Sequence, residues 1–253
     1  MRRLLCLLSS AAVLAGCGGA SPLMHTAHPL EDGQITVGAG FSGSINMDRP
    51  ALGEEQIDEA ILGEAATAPG FAPWVGARAG LGSEFDAGLI YTARTIRADL
   101  RHAWLSHFEP ESPFHSAALS LSLGASGLLP KRDDDLATRV GGFGLDLPLL
   151  VGLNSDADVY NIYLGARGGF EYLNGQRELP SDPLDPTLVL LDPIKGWHAQ
   201  TGGLIGLRVG FRYLFAAIEL AGDYHWASGT IGDTDASFRV FALRPAGALI
   251  GRF

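Results

Sequence analysis

Alternation between apolar and polar residues is clearest in the segment from Gly196 to Trp226. One parity is aliphatic at its centre and aromatic near its ends: Thr201, Gly203, Ile205, Leu207, Val209, Phe211, Tyr213, then Ala216, Ile218, Leu220, Gly222, Tyr224, Trp226. The other parity is rich in glycine and charge: Gly202, Leu204, Gly206, Arg208, Gly210, Arg212, then Ala217, Glu219, Ala221, Asp223, His225. A period of two predicts β-strands with two unlike faces.

The composition of these two faces favours a membrane barrel over a soluble sandwich. A sandwich turns its aliphatic face inward and scatters polar groups outside. A transmembrane barrel turns an apolar band with aromatic girdles toward lipid and polar residues toward its lumen. A soluble lipid-binding barrel on a lipid tether is the main architectural alternative. We therefore expect the parity of Ile205 and Leu207 to face lipid, and that of Arg208 and Glu219 to face the lumen.

Similar alternation recurs along the chain in about ten segments. These are 35–45, 71–81, 85–92, 95–104, 117–125, 137–153, 159–172, the two halves of 196–226, and 238–253. The prediction is an all-β, antiparallel, up-and-down transmembrane β-barrel over residues 35–253, with about ten strands and eight as the alternative. Ten satisfies the even strand number of bacterial barrels.

The connections alternate between long and short, which is the outer-membrane pattern. The long ones include two acidic loops, 46–70 and 173–196, and helical spacing of Ile57, Ala60 and Ile61 makes 46–70 either a short surface helix or a solvated loop. The chain resembles the small outer-membrane barrels of the OmpA, OmpX and OmpW class, and Phe253 resembles their aromatic last residue. The resemblance implies extracellular long loops and a periplasmic N-terminus in a Gram-negative bacterium.

The N-terminus reads as a secretory signal over residues 1–16. Arg2 and Arg3 precede an apolar run that is too short to span a membrane. Leu14-Ala15-Gly16-Cys17 resembles the lipobox of bacterial lipoproteins, which implies cleavage before Cys17 and acylation of its sulfur. A plain signal peptide cut nearby is the alternative. Residues 17–34, with Gly, Ser, Pro and no periodicity, are expected to form a flexible tether.

Charge and cysteine usage exclude several functions. The formal charge is −10, and loss of Arg2 and Arg3 leaves 16 basic and 28 acidic side chains, or −12. Such a balance argues against nucleic-acid binding. Removal of Cys6 leaves a single cysteine, so neither a disulfide nor a zinc–thiolate cluster is expected. No cofactor or metal is predicted. The expected partners are outer-membrane lipids and a surface or envelope protein meeting loops 46–70 and 173–196; the oligomeric state is left open.

Twelve charged residues share the lumen parity and form the candidate site. They are Arg78, Arg97, Asp99, Arg101, Asp146, Arg167, Glu171, Arg208, Arg212, Glu219, Asp223 and Arg244. Charges in a narrow barrel must be paired or hydrated. The favoured hypothesis is a salt-bridge network that plugs a non-enzymatic structural or surface-interaction barrel. A narrow channel for small solutes or ions is the alternative. A barrel enzyme acting on lipids, using His198 and His225, ranks below both.

Overall fold

The computed structural model describes residues 21–47, 57–108, 112–133, 137–155, 158–179 and 190–253. Ten antiparallel strands form one closed barrel in which each strand pairs with its neighbours in sequence and the last pairs with the first. The strands are β1 Ile35–Asn46, β2 Gly70–Gly82, β3 Phe85–Thr92, β4 Thr95–His107, β5 Phe114–Asp133, β6 Thr138–Ser155, β7 Tyr160–Glu178, β8 Leu191–Phe211, β9 Leu214–Ile231 and β10 Thr234–Arg252. The prediction of a ten-stranded up-and-down barrel is confirmed.

The seam of the barrel is closed by its two terminal strands. The backbone of Ile35 exchanges two hydrogen bonds with that of Phe253, at 2.9 and 2.8 Å. The tight connections after β2 and β8 lie at the same rim, and Ser83, Glu84 and Arg212 adopt positive φ there. We call this end the turn rim and the opposite end the loop rim. Closure leaves no free strand edge, as a barrel in lipid requires.

The outer surface carries the apolar parity, as the alternation predicts. Exposed aliphatic side chains such as Leu147 and Ile205 form a band around the middle of the wall. Exposed aromatic side chains lie at both ends of this band: Phe85, Trp104, Phe211, Tyr213 and Phe253 toward the turn rim, and Phe143, Phe170, Tyr172, Trp197 and Tyr224 toward the loop rim. An aliphatic band between two aromatic girdles is the surface of a barrel embedded in lipid.

The barrel wall is taller on one side, because β5–β10 are longer than β1–β4. Strands β1–β4 have 8 to 13 residues, whereas β5–β10 have 18 to 21. About 10 tilted residues span the hydrocarbon core. Beyond the row of Phe143, Tyr172 and Trp197, most exposed positions are polar, with Asn174 and Lys195 paired across β7 and β8. The tall half of the wall therefore forms a collar above the membrane on the loop side.

The described part of the acidic segment after β1 folds into the barrel mouth. Residues Ile57–Thr67 form a helix, α1, whose buried Ile61 and Leu62 pack on inward-facing residues of the collar: Val140, Leu173, Ile194, Ala227, Ile231 and Ala236. Arg177 pairs with Asp58 in its first turn, and Arg94 donates to the carbonyl of Ala65 at 3.2 Å. The helix predicted from the spacing of Ile57, Ala60 and Ile61 is present, but the expectation that it lies on the surface is wrong. Closing β1 to β2 carries its apolar face over the mouth.

The second acidic loop is shorter than the sequence indicates. Residues 173–178 belong to β7 and residues 191–196 to β8. The remaining loop lies almost entirely outside the described residues. No helix in the described part of the chain is long and apolar enough to cross a membrane.

The segment expected to be a flexible tether lies inside the lumen over its described part. Residues 21–34, the N-terminal plug, enter at the turn rim and run up the barrel interior. Leu23, Met24 and Ala27 are buried against wall residues such as Leu150 and Trp74. The tether expectation is therefore corrected for residues 21–34, where the wall binds the chain. Cys17 lies outside the described residues.

A pair of arginine substitutions tests which face contacts lipid. Ile205 is 55% exposed in the middle of β8, and Tyr213 is 70% exposed at the turn rim. Ile205→Arg should destabilise the barrel in lipid by about 2–4 kcal/mol, and Tyr213→Arg by about 0–1 kcal/mol, because the cost of a lipid-facing charge depends on depth. Reversible unfolding in lipid vesicles measures both; equal costs would contradict the facing.

Candidate functional site

Glu219 of β9 holds the inner end of the plug. Its Oε1 accepts a hydrogen bond from the backbone N–H of Leu23 at 3.0 Å, and its Oε2 accepts one from Met24 at 2.8 Å. Tyr163 of β7 donates its hydroxyl to the same Oε2 at 3.1 Å. A carboxylate that receives three donors replaces its lost hydration. The backbone of the plug is thus fixed to the wall by one acidic side chain.

Arg101 and Asp86 hold the outer half of the plug. Arg101 donates to the carbonyls of Thr26 and of His28, the latter at 2.9 Å. Asp86 accepts the backbone N–H of Leu30 at 3.1 Å and a bond from Arg101 Nε at 3.0 Å. Both side chains are almost fully buried. Since extended backbone inside a barrel has no strand partner, these charged groups satisfy donors and acceptors that would otherwise be orphaned.

A ladder of alternating charges continues from Asp86 across the wall. Asp86 and Asp99 both pair with Arg78, and Asp99 also pairs with Arg97 at 2.6 Å. Asp146 bridges Arg97 and Arg167, each through Nε at 3.0 Å. Buried charges are tolerated when each is paired and hydrogen-bonded, and removal of one member is strongly destabilising. The ladder therefore works as one structural unit.

A second polar chain lies near α1. Glu171 contacts His198 Nδ1 at 2.9 Å, and His198 Nε2 contacts His225 Nδ1 at 2.8 Å, with the two rings stacked. Arg244 donates to His225 Nε2 at 3.2 Å, to Gln200 Oε1 at 2.8 Å, and pairs with Asp223 at 3.1 Å. All four imidazole nitrogens are therefore engaged by neighbours.

Eleven of the twelve sequence-predicted residues lie in the lumen, and Arg212 does not. Arg212 is exposed in the β8–β9 turn, where its guanidinium lies 5.0 Å from the centre of the Phe211 ring. Its positive φ takes it out of the alternation that placed it inside. Arg208 does face the lumen, as expected. It pairs with Asp158 at 2.9 Å, and Asp158 also binds Arg252.

Several residues of the site were missed in the sequence. Asp86 alternates with the apolar positions of β3, so its parity already indicates a lumen-facing side chain. Tyr163 shares the lumen parity of β7 and fills the space beside Gly206, where a Cβ would lie 2.1 Å from its Cζ. Lumen glycines therefore make room for neighbouring side chains and do not widen a bore. The plug contacts have no sequence signal, because most of them use backbone groups.

Small cavities remain between these groups. A cavity of about 40 Å³ lies between Met24 and Trp74, and one of about 50 Å³ separates Ser21 from α1. Each can hold a few water molecules, since one water needs roughly 10–15 Å³ of such space. The described part of the chain holds no group of three or more His, Cys, Asp or Glu side chains arranged for a metal ion.

These features define a small β-barrel protein of the outer-membrane class with a filled lumen. No protein-family model matches the chain, and no curated protein sequence matches it. Among solved structures, Ail, the attachment invasion locus protein of Yersinia pestis, is similar at 10% identity with a TM-score of 0.25, over 88% of this chain and 99% of that one. Neisserial surface protein A gives 10% identity and 0.31, over 87% and 96%. The translocator domain of NalP from Neisseria meningitidis gives 11% and 0.27, over 88% and 90%. The fold assignment is based on the strand pairing of the chain itself, since TM-scores this low do not establish a shared fold.

Two arginine substitutions separate lumen pairing from surface charge. Arg101→Gln leaves Asp86 short of one partner and frees two plug carbonyls, so it should destabilise the barrel by about 3–5 kcal/mol. Arg212→Gln makes the same chemical change at the exposed turn and should change stability by less than about 0.5 kcal/mol. Unfolding midpoints in urea measure both. Similar small losses would show that the buried ladder contributes little.

Acidic pH should loosen the plug through His28. His28 contacts Ser116 at 3.0 Å and Asn161 at 3.2 Å, and burial lowers its pKa from 6.5 to about 4. A lowered pKa means that stability present above pH 6.5 is lost as the pH falls toward 4. His28→Gln should flatten part of the decrease in thermal midpoint over that range. A pH profile unchanged by the substitution would contradict this role.

Proposed function

We propose that this protein is a closed outer-membrane barrel with a structural or surface-interaction role, and that it conducts no solutes. The observation that carries the proposal is that the lumen is filled from both ends. The plug occupies the turn-rim half, and α1 covers the loop-rim half. Charged side chains of the wall pair with each other and with the plug, and the cavities that they line beside Met24 and below α1 measure about 40 and 50 Å³.

The surface role is supported by the collar. The long strands β5–β10 have roughly 8 residues more than a membrane crossing needs, which at about 3.3 Å per residue adds roughly 25 Å along each strand. Most of their exposed outer positions there are polar, among them Asn174, Gln176, Lys195 and Thr230. We place this collar outside the cell and the turn rim in the periplasm. A protein or surface partner would meet this collar. Half of the acidic residues of 46–70 and 173–196 that the sequence assigns to this role lie outside the described residues.

The alternatives are less well supported by the same contacts. A channel requires a continuous water path, and the plug and α1 interrupt it in series. An enzyme that acts through a serine or cysteine needs that nucleophile within reach of its base, whereas His198 and His225 contact Glu171, each other and Arg244. Acylation of Cys17 stays a prediction of the sequence.

Single-channel recording in a planar bilayer tests the proposal. The wild-type protein should be silent. Glu219→Ala should release the inner end of the plug, and Leu62→Asp should unseat α1, whose Leu62 is fully buried. Because the two obstructions lie in series, each single variant should stay closed and only the double variant should conduct.

Heat-modifiable migration on denaturing gels verifies that every variant is folded, and Arg212→Gln is the matched surface control. A stable conductance of the wild-type protein would contradict the closed barrel and promote the channel. Conductance in either single variant would show that one obstruction alone seals the lumen.

A further inference from the structure

The inner end of the plug lies among carboxylates. The carbonyl of Ser21 accepts a hydrogen bond from Arg167 at 3.0 Å. Ser21 lines one small cavity with Glu219 and Asp223 and a second with Glu171. Its hydroxyl is buried and has no hydrogen-bond partner among the described residues. Ser21 is therefore surrounded by charged side chains, whereas its own side chain offers them only a neutral hydroxyl.

Two carboxylates beside Ser21, Glu171 and Glu219, are contacted by no arginine among the described residues. Glu171 contacts His198 Nδ1 at 2.9 Å and accepts a hydrogen bond from Ser126 at 3.4 Å. Glu219 binds the amides of Leu23 and Met24 and the hydroxyl of Tyr163. A buried carboxylate without a paired cation is costly, and a positive charge at Ser21 would lie beside both.

The histidines do not supply the missing positive charge. Arg244 can only donate, so His225 accepts at Nε2 and donates from Nδ1. His198 then accepts at Nε2 and donates from Nδ1 to Glu171. Each ring carries one proton in this arrangement and is neutral. A second proton on either ring would place two N–H donors opposite each other, with no acceptor between them.

An acyl group on Cys17 fits poorly with this position of Ser21. Three residues lie between the two, and an extended chain covers at most about 14 Å over the four steps from Cys17 to Ser21. Half the hydrocarbon thickness is about 15 Å, and Ser21 lies in the middle of a closed wall, with α1 above and the plug below. Acyl chains attached there would reach lipid only if the plug left the lumen.

We infer that a signal peptidase cuts between Ala20 and Ser21, so that the mature chain begins at Ser21 and its α-ammonium group lies in the lumen beside Glu171, Glu219 and Asp223. Gly18 and Ala20 supply the small residues that such a cleavage site requires at its third and first positions before the cut. Water adds across the Ala20–Ser21 amide during export. The carboxylate leaves with the signal peptide, and the new amine takes up a proton. This inference stands independently of whether the barrel conducts.

Intact-mass measurement and N-terminal sequencing of protein purified from membranes test the cut. The expected result is an unmodified chain of residues 21–253. A chain that begins at Cys17 and carries acyl groups would overturn the inference, and so would any other N-terminus.

Two variants show which residues direct processing. Cys17→Ser should leave the mature mass unchanged, whereas acylation at the lipobox predicts loss of the lipid and a persistent precursor. Ala20→Phe places a bulky residue before the cut and should abolish the 21–253 product. Normal processing of Ala20→Phe, or a precursor in Cys17→Ser, would contradict the site.

Amine labelling tests where the new terminus lies. With succinimidyl acetate, the α-amine of Ser21 in the folded barrel should react at least 10-fold more slowly than in the unfolded chain. Lys195, which is exposed on the collar, should react at similar rates in both states and serves as the internal control. Equal labelling of Ser21 in both states would place the terminus outside the lumen.

Discussion

The structure depends on one constraint, which is that charges removed from water must be paired inside the barrel. The wall needs polar residues on its inner face because its outer face must be apolar for lipid. In a narrow ten-stranded barrel those residues have little water to contact. They are satisfied by each other, as in the ladder from Arg101 to Arg167, and by backbone groups of the plug. The plug therefore completes the hydrogen bonding of the wall.

The two obstructions use different interactions. The plug is held mainly by polar contacts, with Glu219, Arg101 and Asp86 binding its amides and carbonyls. α1 is held mainly by apolar packing, with Ile61 and Leu62 on the collar, and by an ion pair between Asp58 and Arg177. Below α1 the lumen is polar, whereas the inner face of the collar is apolar. A barrel designed only to conduct would have no need for an apolar inner surface at its mouth.

The architecture was predictable because it depends on local alternation. Ile205, Leu207 and Val209 indicate a lipid-facing strand without knowledge of their neighbours, and ten such segments indicate a closed barrel. Pairing across the lumen was less predictable. Arg208 binds Asp158 and not Glu219 because partner choice depends on strand stagger and on which rim a residue approaches. Arg212 was misplaced because turn geometry ends the alternation.

The plug could not be predicted from residue types. Leu23, Met24 and Leu30 are held through backbone N–H groups, which every sequence possesses, so the segment looks like an ordinary tether. The helical spacing at Ile57 and Ile61 did indicate α1, but its burial depends on the height of strands far along the chain. The positions of the plug and of α1 both depend on contacts between residues that are far apart in the sequence.

Hydrogen exchange of the N-terminal segment tests the central claim most directly, because a bound segment and a tether differ at their amides. In purified protein, the amides of Leu23, Met24 and Leu30 should exchange as slowly as those of neighbouring wall strands. Their protection should be lost together with that of the strands on unfolding. Exchange of this segment at the rate of an unstructured peptide, with the strands still protected, would contradict a lumen filled by its own N-terminus.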